Sequence, residues 1–190
     1  MATGVSSVAA QLRPGFGGPA AFEVAKIRAD FPILTERVHG QPLVYLDSAN
    51  TSQKPEAVLK AMDDYYRHAN ANIHRATHLL SERATALYEG ARAKAAVFLN
   101  APDPRTIVLT KGTTDGINLV AQSYGRSTLK PGDEILLTWL EHHSNIVPWQ
   151  LLAGQTGAVI KVVPINEAGE LELDQFAALL SPRTKILAVG

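Results

Sequence analysis

The residue types best suited to holding an anion lie in TIVLTKGTTDGINLV, residues 106–120. An apolar stretch ends, Gly112 lets the backbone turn, and Thr113 and Thr114 open a helix. The first N–H groups of a helix have no intrahelical acceptor. Together with the helix dipole and two hydroxyls they make a cup for a phosphate. It is not a P-loop, because neither the glycine spacing nor the Lys-Ser/Thr pair is there. The same letters also describe an ordinary glycine turn with a threonine cap.

A second segment, Glu141-His142-His143-Ser144-Asn145, carries adjacent histidines. Neighbouring side chains on a loop point different ways. One imidazole can therefore enter a site, stack on a planar ligand and move protons near neutrality, while the other faces away. Two exposed loop histidines are the plain alternative. In the third segment, residues 70–78, His74 and His78 stand four apart, the spacing of metal ligands on a helix. The segment lacks helical periodicity and a His-Glu-x-x-His pattern, so no metal site is expected there. Arg75 beside His74 better suits an anion or carboxylate, and a solvated connection is its plain alternative. Fourth, Asp47-Ser48-Ala49-Asn50 is a run of short side chains that lets backbone approach a ligand, or simply makes a tight turn.

These segments need a scaffold, and the intervening text alternates between strand and helix. Apolar or β-branched runs predict strands at Leu43–Leu46, Thr106–Thr110, Glu134–Thr138, Val159–Val163 and Lys185–Val189. Helical spacing predicts a short helix from Glu23 and longer ones over 55–68 and 81–99. Further helices are expected from Thr113 through Tyr124, over 146–156 and over 173–180. In the helix over 81–99, Leu87, Ala91, Ala95 and Phe98 mark the expected apolar face. Such alternation points to an α/β fold, a mostly parallel sheet with helices on both faces, whose ligands sit at the carboxyl ends of the strands. Residues 1–22 carry one charge, Arg13, and a Gly/Pro cluster, and read as a disordered extension rather than a signal or transit peptide. Residues 23–190 read as the folded part. Because the last strand runs to Gly190, the chain is expected to be a fragment.

Composition narrows the function classes. Eighteen Lys+Arg balance 18 Asp+Glu, which argues against a broad nucleic-acid footprint, and 6% aromatics are too few for a base-stacking platform. No stretch is apolar for long enough to span a membrane. With no cysteine among the 190 residues, neither a disulfide nor a thiolate nucleophile is available within them.

The four segments, in their order along the chain, resemble the N-terminal part of class V (fold type I) pyridoxal-phosphate enzymes, and more narrowly the group II, SufS-type cysteine desulfurases. The matching strings are YLDSAN (45–50), SQKP (52–55), NIHRATHLLSERAT (72–85), TKGTTDGINLVAQSYG (110–125) and EHHSNIVPWQ (141–150). The resemblance implies an incomplete fold type I large domain with pyridoxal 5'-phosphate as cofactor. Thr114, with the backbone of Gly112 and Thr113, is then expected to hold the phosphate. His142 is expected to stack on the pyridine ring and to act as the catalytic residue of this portion. Ser48 and Ala49 are expected on the substrate side, and His74 and Arg75 in a loop near an active site at a homodimer interface. Asn50 stands where the family usually has a second alanine.

The implied reaction turns L-cysteine into L-alanine and passes sulfur to a persulfide for iron–sulfur cluster assembly, with a sulfur-acceptor protein as a possible partner and the cytoplasm as the location. None of the lysines present fits the Schiff-base motif, and the nucleophilic cysteine is missing, so the 190 residues alone are expected to be inactive. A selenocysteine lyase, another class V aminotransferase-like enzyme and a non-catalytic dimerising remnant are the alternatives. A metal hydrolase using His74, His78 and His142 is the most distant one.

Overall fold

A computed structural model describes residues 22–75 and 77–190. The extension expected over 1–22 therefore lies, Phe22 apart, outside the described residues. The chain divides into two compact units between Lys94 and Ala95.

In the first unit, helix α1 (Val24–Ala29) gives way at Pro32 to a single 3₁₀ turn, Pro32–Thr35. Strands β1 (Arg37–Val38) and β2 (Gln41–Pro42) then pair antiparallel. His39 and Gly40 between them have φ of 51° and 76°, the two positive values a tight hairpin turn demands. The Arg37 guanidinium donates to the Gly40 carbonyl and closes it. The strand expected at Leu43–Leu46 is not formed. Leu43 adds one hydrogen bond to the hairpin, N–H to Glu36 O at 2.9 Å. Beyond it no described strand supplies a ladder, and Leu46 is 91% exposed. An apolar run favours extended backbone, but a strand also needs a neighbour.

Helix α2 (Glu56–His68) starts directly after Pro55, whose fixed φ suits a helix entry. Lys60–Asp64 and Asp63–Arg67 pairs at i,i+4 spacing brace its solvent side. Helix α3 (Leu79–Phe98) starts two residues before the expected Ser81. Its buried positions are Ser81, Ala84 and Ala96 rather than the expected stripe; Leu87 and Phe98 are exposed.

The second unit carries the α/β architecture. Its sheet has the order β4-β3-β5, every pair parallel, from β3 (Glu134–Thr138), β4 (Val159–Val163) and β5 (Thr184–Ala188). Helix α4 (Thr113–Val120) continues through a π turn at Ala121–Gly125 into α5 (Arg126–Thr128) ahead of β3. Helices α6 (Val147–Thr156) and α7 (Leu173–Leu179) form the two crossovers that parallel strands require. Thr106–Thr110 does not form the expected strand. A 3₁₀ turn covers Pro104–Thr106, and Ile107 is extended but has no described strand beside it.

All five residues of β3 are buried, while the flanking strands are only partly so. The core gathers Ala121, Leu129, Ile135, Leu137, Trp149 and Leu152. Gly125 is needed for this packing, because a Cβ there would lie 2.5 Å from Leu152 Cδ2. At the amino end of the sheet, Glu134 is 1% exposed. It accepts from Ser181 Oγ (2.7 Å), Lys161 Nζ (2.9 Å), Arg183 Nη2 (2.9 Å) and Thr184 Oγ1 (3.2 Å). The Ser181 hydroxyl first, then the Lys161 ammonium, hold its carboxyl down to about 2. One side chain thus ties β3 to both neighbours.

Candidate functional site

At the other end of β3 the chain opens a cavity of about 670 Å³. It lies where an α/β sheet ordinarily binds its ligand, beyond the carboxyl ends of β3 and β5. Thr113 of α4 and His142 of the loop after β3 both line it, with Ile117 and Leu140 as apolar wall. Gly112 and Thr114 flank Thr113 and are exposed rather than lining. Among the described residues no acceptor engages the N–H groups of Thr113 and Thr114. The Asp115 carboxylate accepts instead from Lys111 N–H at 3.1 Å, bracing the turn ahead of the helix.

His142 has a defined setting. Its Nδ1 accepts from Ser144 N–H at 3.1 Å and lies 2.9 Å from Ser144 Oγ. A backbone N–H can only donate, so Nδ1 carries no proton in this arrangement and Nε2 carries the one the ring has. The rings of His142 and His143 stand at 84° to one another, and His143 does not line the cavity.

Sequence reasoning singled out the loop but passed over its carboxylate. Glu141 accepts from Thr138 Oγ1 at 2.6 Å, from Asn145 Nδ2 at 2.7 Å and from Gly190 N–H at 3.1 Å. Partial burial pushes its carboxyl up, but these three donors outweigh that and leave it below its ordinary value. Asn145 Oδ1 in turn accepts from Trp149 Nε1 at 2.9 Å. Glu141, Asn145 and Trp149 stand four apart, and that spacing running into a helix was the available signal.

The remaining candidates lie in the first unit. Ser48 and Ala49 occupy a turn closed by Asn50 and Thr51 N–H groups on the Asp47 carbonyl. Ser48 lines a cleft of about 390 Å³ with Arg28 and Tyr45, and Ala49 does not. His74 adopts a positive φ of 66°, its N–H donating to Thr85 Oγ1 at 3.0 Å. Its Nε2 lies 3.2 Å from Glu89 Oε1, and its ring meets Tyr88 edge-on. His78 Nδ1 accepts from Ser81 N–H at 3.3 Å, a cap at the start of α3. The two histidines are thus committed to different local partners. Arg75 is exposed.

The chain has relatives among known proteins. Residues 44–190 match the Aminotransferase class-V family. A cysteine desulfurase of Synechococcus elongatus is 52% identical over 171 residues, covering 90% of this chain and 27% of that protein. The crystal structure of the cysteine desulfurase CsdA from Escherichia coli superposes with a TM-score of 0.73 at 46% identity, over 88% of this chain and 41% of that one. A C-DES variant with glycine covalently linked to its PLP cofactor gives a TM-score of 0.69 at 25% identity, over 85% of this chain and 40% of the other. The chain thus spans between about a quarter and two-fifths of the length of these relatives.

Proposed function

Since the chain belongs to the Aminotransferase class-V family, we propose that it supplies the cofactor-holding part of a pyridoxal-phosphate-dependent cysteine desulfurase. The observation that carries this reading is one cavity bounded by both the start of α4 and the imidazole of His142. Its size suits a small aromatic ligand. The unengaged N–H groups of Thr113 and Thr114 answer a phosphate, and the flat ring of His142 answers a pyridine. Each is the chemistry that pyridoxal phosphate presents.

In this reading Gly112, Thr113 and Thr114 bind the phosphate, and His142 orients the ring by stacking. Ile117 and Leu140 keep water from the bound face. With Nδ1 committed to Ser144, Nε2 is the one ring nitrogen left for proton movement beside the stacked face. The cofactor, when bound, supplies the electron sink that makes bonds at an amino acid's α-carbon labile. L-cysteine is the proposed substrate, with sulfur passed to a thiolate and onward to an acceptor protein for iron–sulfur assembly. The thiolate is not among these 190 residues, which contain no cysteine. The chain is therefore proposed to hold the cofactor without turning over. Ser48, Ala49, His74 and Arg75 remain the proposed substrate-side residues, and a homodimer in the cytoplasm the proposed setting, on the strength of the sequence resemblance. Among the described residues no helix is long and apolar enough to cross a membrane.

Trp149 lines the cavity, and with the exposed Trp139 replaced by Phe its fluorescence is expected to report occupancy. Titrating pyridoxal phosphate is expected to quench its fluorescence saturably, and inorganic phosphate to compete. Quenching that is unsaturable, or indifferent to phosphate, rejects the reading.

A further inference from the structure

The carboxylate that lines the cavity, Glu141, has both oxygens engaged: Oε1 takes Thr138 Oγ1 and Gly190 N–H, and Oε2 takes Asn145 Nδ2. Asn145 passes the connection on to the indole of Trp149, which is 3% exposed and part of the core. A continuous path of hydrogen bonds thus runs from the last residue of β3, across the loop, into the first turn of α6. His142 sits inside it. Its carbonyl accepts from Asn145 N–H at 2.8 Å, so the residue before it and the residue three after it are both tied down. An ionised carboxylate whose lone pairs already meet three donors is a poor base and a poor ligand for a cation. It is well suited to holding a loop.

We infer that Glu141 is a positioning residue which, through Asn145, fixes the loop that presents His142 to the cavity. Stacking is sensitive to ring orientation, and a side chain on an unbraced loop loses that orientation. The inference rests on the reading of His142 as the residue that stacks on the ligand, and it adds the pair that aims it.

The test exchanges the two ends of the hydrogen bond. Glu141→Gln keeps the size and the Oε1 contacts but turns an amide toward the Asn145 amide, donor against donor. Adding Asn145→Asp restores one carboxylate and one amide with polarity reversed, and the aspartate still accepts from Trp149. Two readouts are taken on the full chain. One is pyridoxal phosphate binding by Trp149 quenching. The other is the His142 ring signal in 13C–1H NMR spectra, identified among the six histidines by its loss in His142→Ala. Glu141→Gln is expected to weaken binding about tenfold, the order of one charge-assisted hydrogen bond, and to move the His142 signal. The double variant is expected to bind within about threefold of the parent and to return the signal.

A merely structural role for Glu141 lowers the melting temperature without moving the His142 signal, and that result overturns the inference. So does a folded double variant that rescues neither readout. If Glu141→Gln does not fold, the double variant decides alone: it must fold and place the His142 signal as in the parent, and a failure in either respect counts against the inference. If the parent chain does not bind pyridoxal phosphate, the cofactor reading falls, while the NMR comparison still judges whether Glu141 positions the ring.

Discussion

Glu134 and Glu141 lie seven residues apart, at opposite ends of the same buried strand, and they are solvated by different chemistry. Glu134 meets an ammonium and a guanidinium as well as two hydroxyls, with partners drawn from both neighbouring strands. Glu141 meets neutral donors, a hydroxyl, an amide and a backbone N–H. The amino end of the sheet is closed by a carboxylate set between two cations. At the carboxyl end none of the carboxylate's three described partners is a cation, and beside it a helix start and an imidazole are left with capacity to spare. Charge pairing at one end serves cohesion, while unspent hydrogen-bonding capacity at the other is what the proposed ligand would meet.

Removing the cohesive end is the sharpest way to break this contrast. Glu134→Ala takes the carboxylate away from Arg183 and leaves Lys161 only the Leu179 carbonyl, removing the side-chain tie across the three strands, and is expected to lower the denaturation midpoint more than any other change named here. The pH dependence has a definite sign. The folded-state value is about 2 against an ordinary 4.5, so this carboxylate's contribution is complete above about pH 4.5 and drains away as pH falls toward 2. Urea unfolding at stepped pH is expected to show a decline across that window in the parent and a shallower one in Glu134→Gln. Equal slopes would mean that the network does not differ between folded and unfolded chains.

Next in size is Gly125→Ala, which drives a methyl against the fully buried Leu152 and is expected to cost about 1–3 kcal/mol in the same assay. At the ligand end the effect moves from stability to binding. His142→Ala is expected to cost no more than about 1 kcal/mol of stability, the worth of its exposed Nδ1 bond to the Ser144 N–H. It is also expected to weaken pyridoxal phosphate binding about tenfold, as removal of one stacking face does. An equal loss in both measurements would erase the distinction between the ends. Smallest is Asp115→Ala. It frees the Lys111 N–H and removes an acid from the first turn of α4, a loss of about 0.5–1 kcal/mol by thermal melting.

Much of this was readable from the residues. The strands at Glu134–Thr138 and Val159–Val163 and the helices α2 and α6 fall where apolar periodicity and proline placement put them. The helix start at Thr113 follows the glycine as its local chemistry requires. Two expected strands, at 43–46 and 106–110, failed for a shared reason. Extended backbone is a local preference, whereas a ladder is a pairing between distant residues, and no described strand lies beside either segment. The face of α3 was misjudged because helical spacing identifies a stripe without saying what packs on it. Small residues, Ser81, Ala84 and Ala96, are the ones buried.

Residue identity and spacing alone determined the strand–helix alternation, the helix that opens with free N–H groups and the loop with its paired histidines, since all of these depend on interactions within a few residues. Tertiary structure decided which histidine lines the cavity and that Thr113 lines it too. It also decided that Glu134, with partners 27 to 50 positions away, closes the sheet while Glu141 braces a loop. A carboxylate's role depends on the donors that surround it in space, and the chain does not disclose those donors until it has folded.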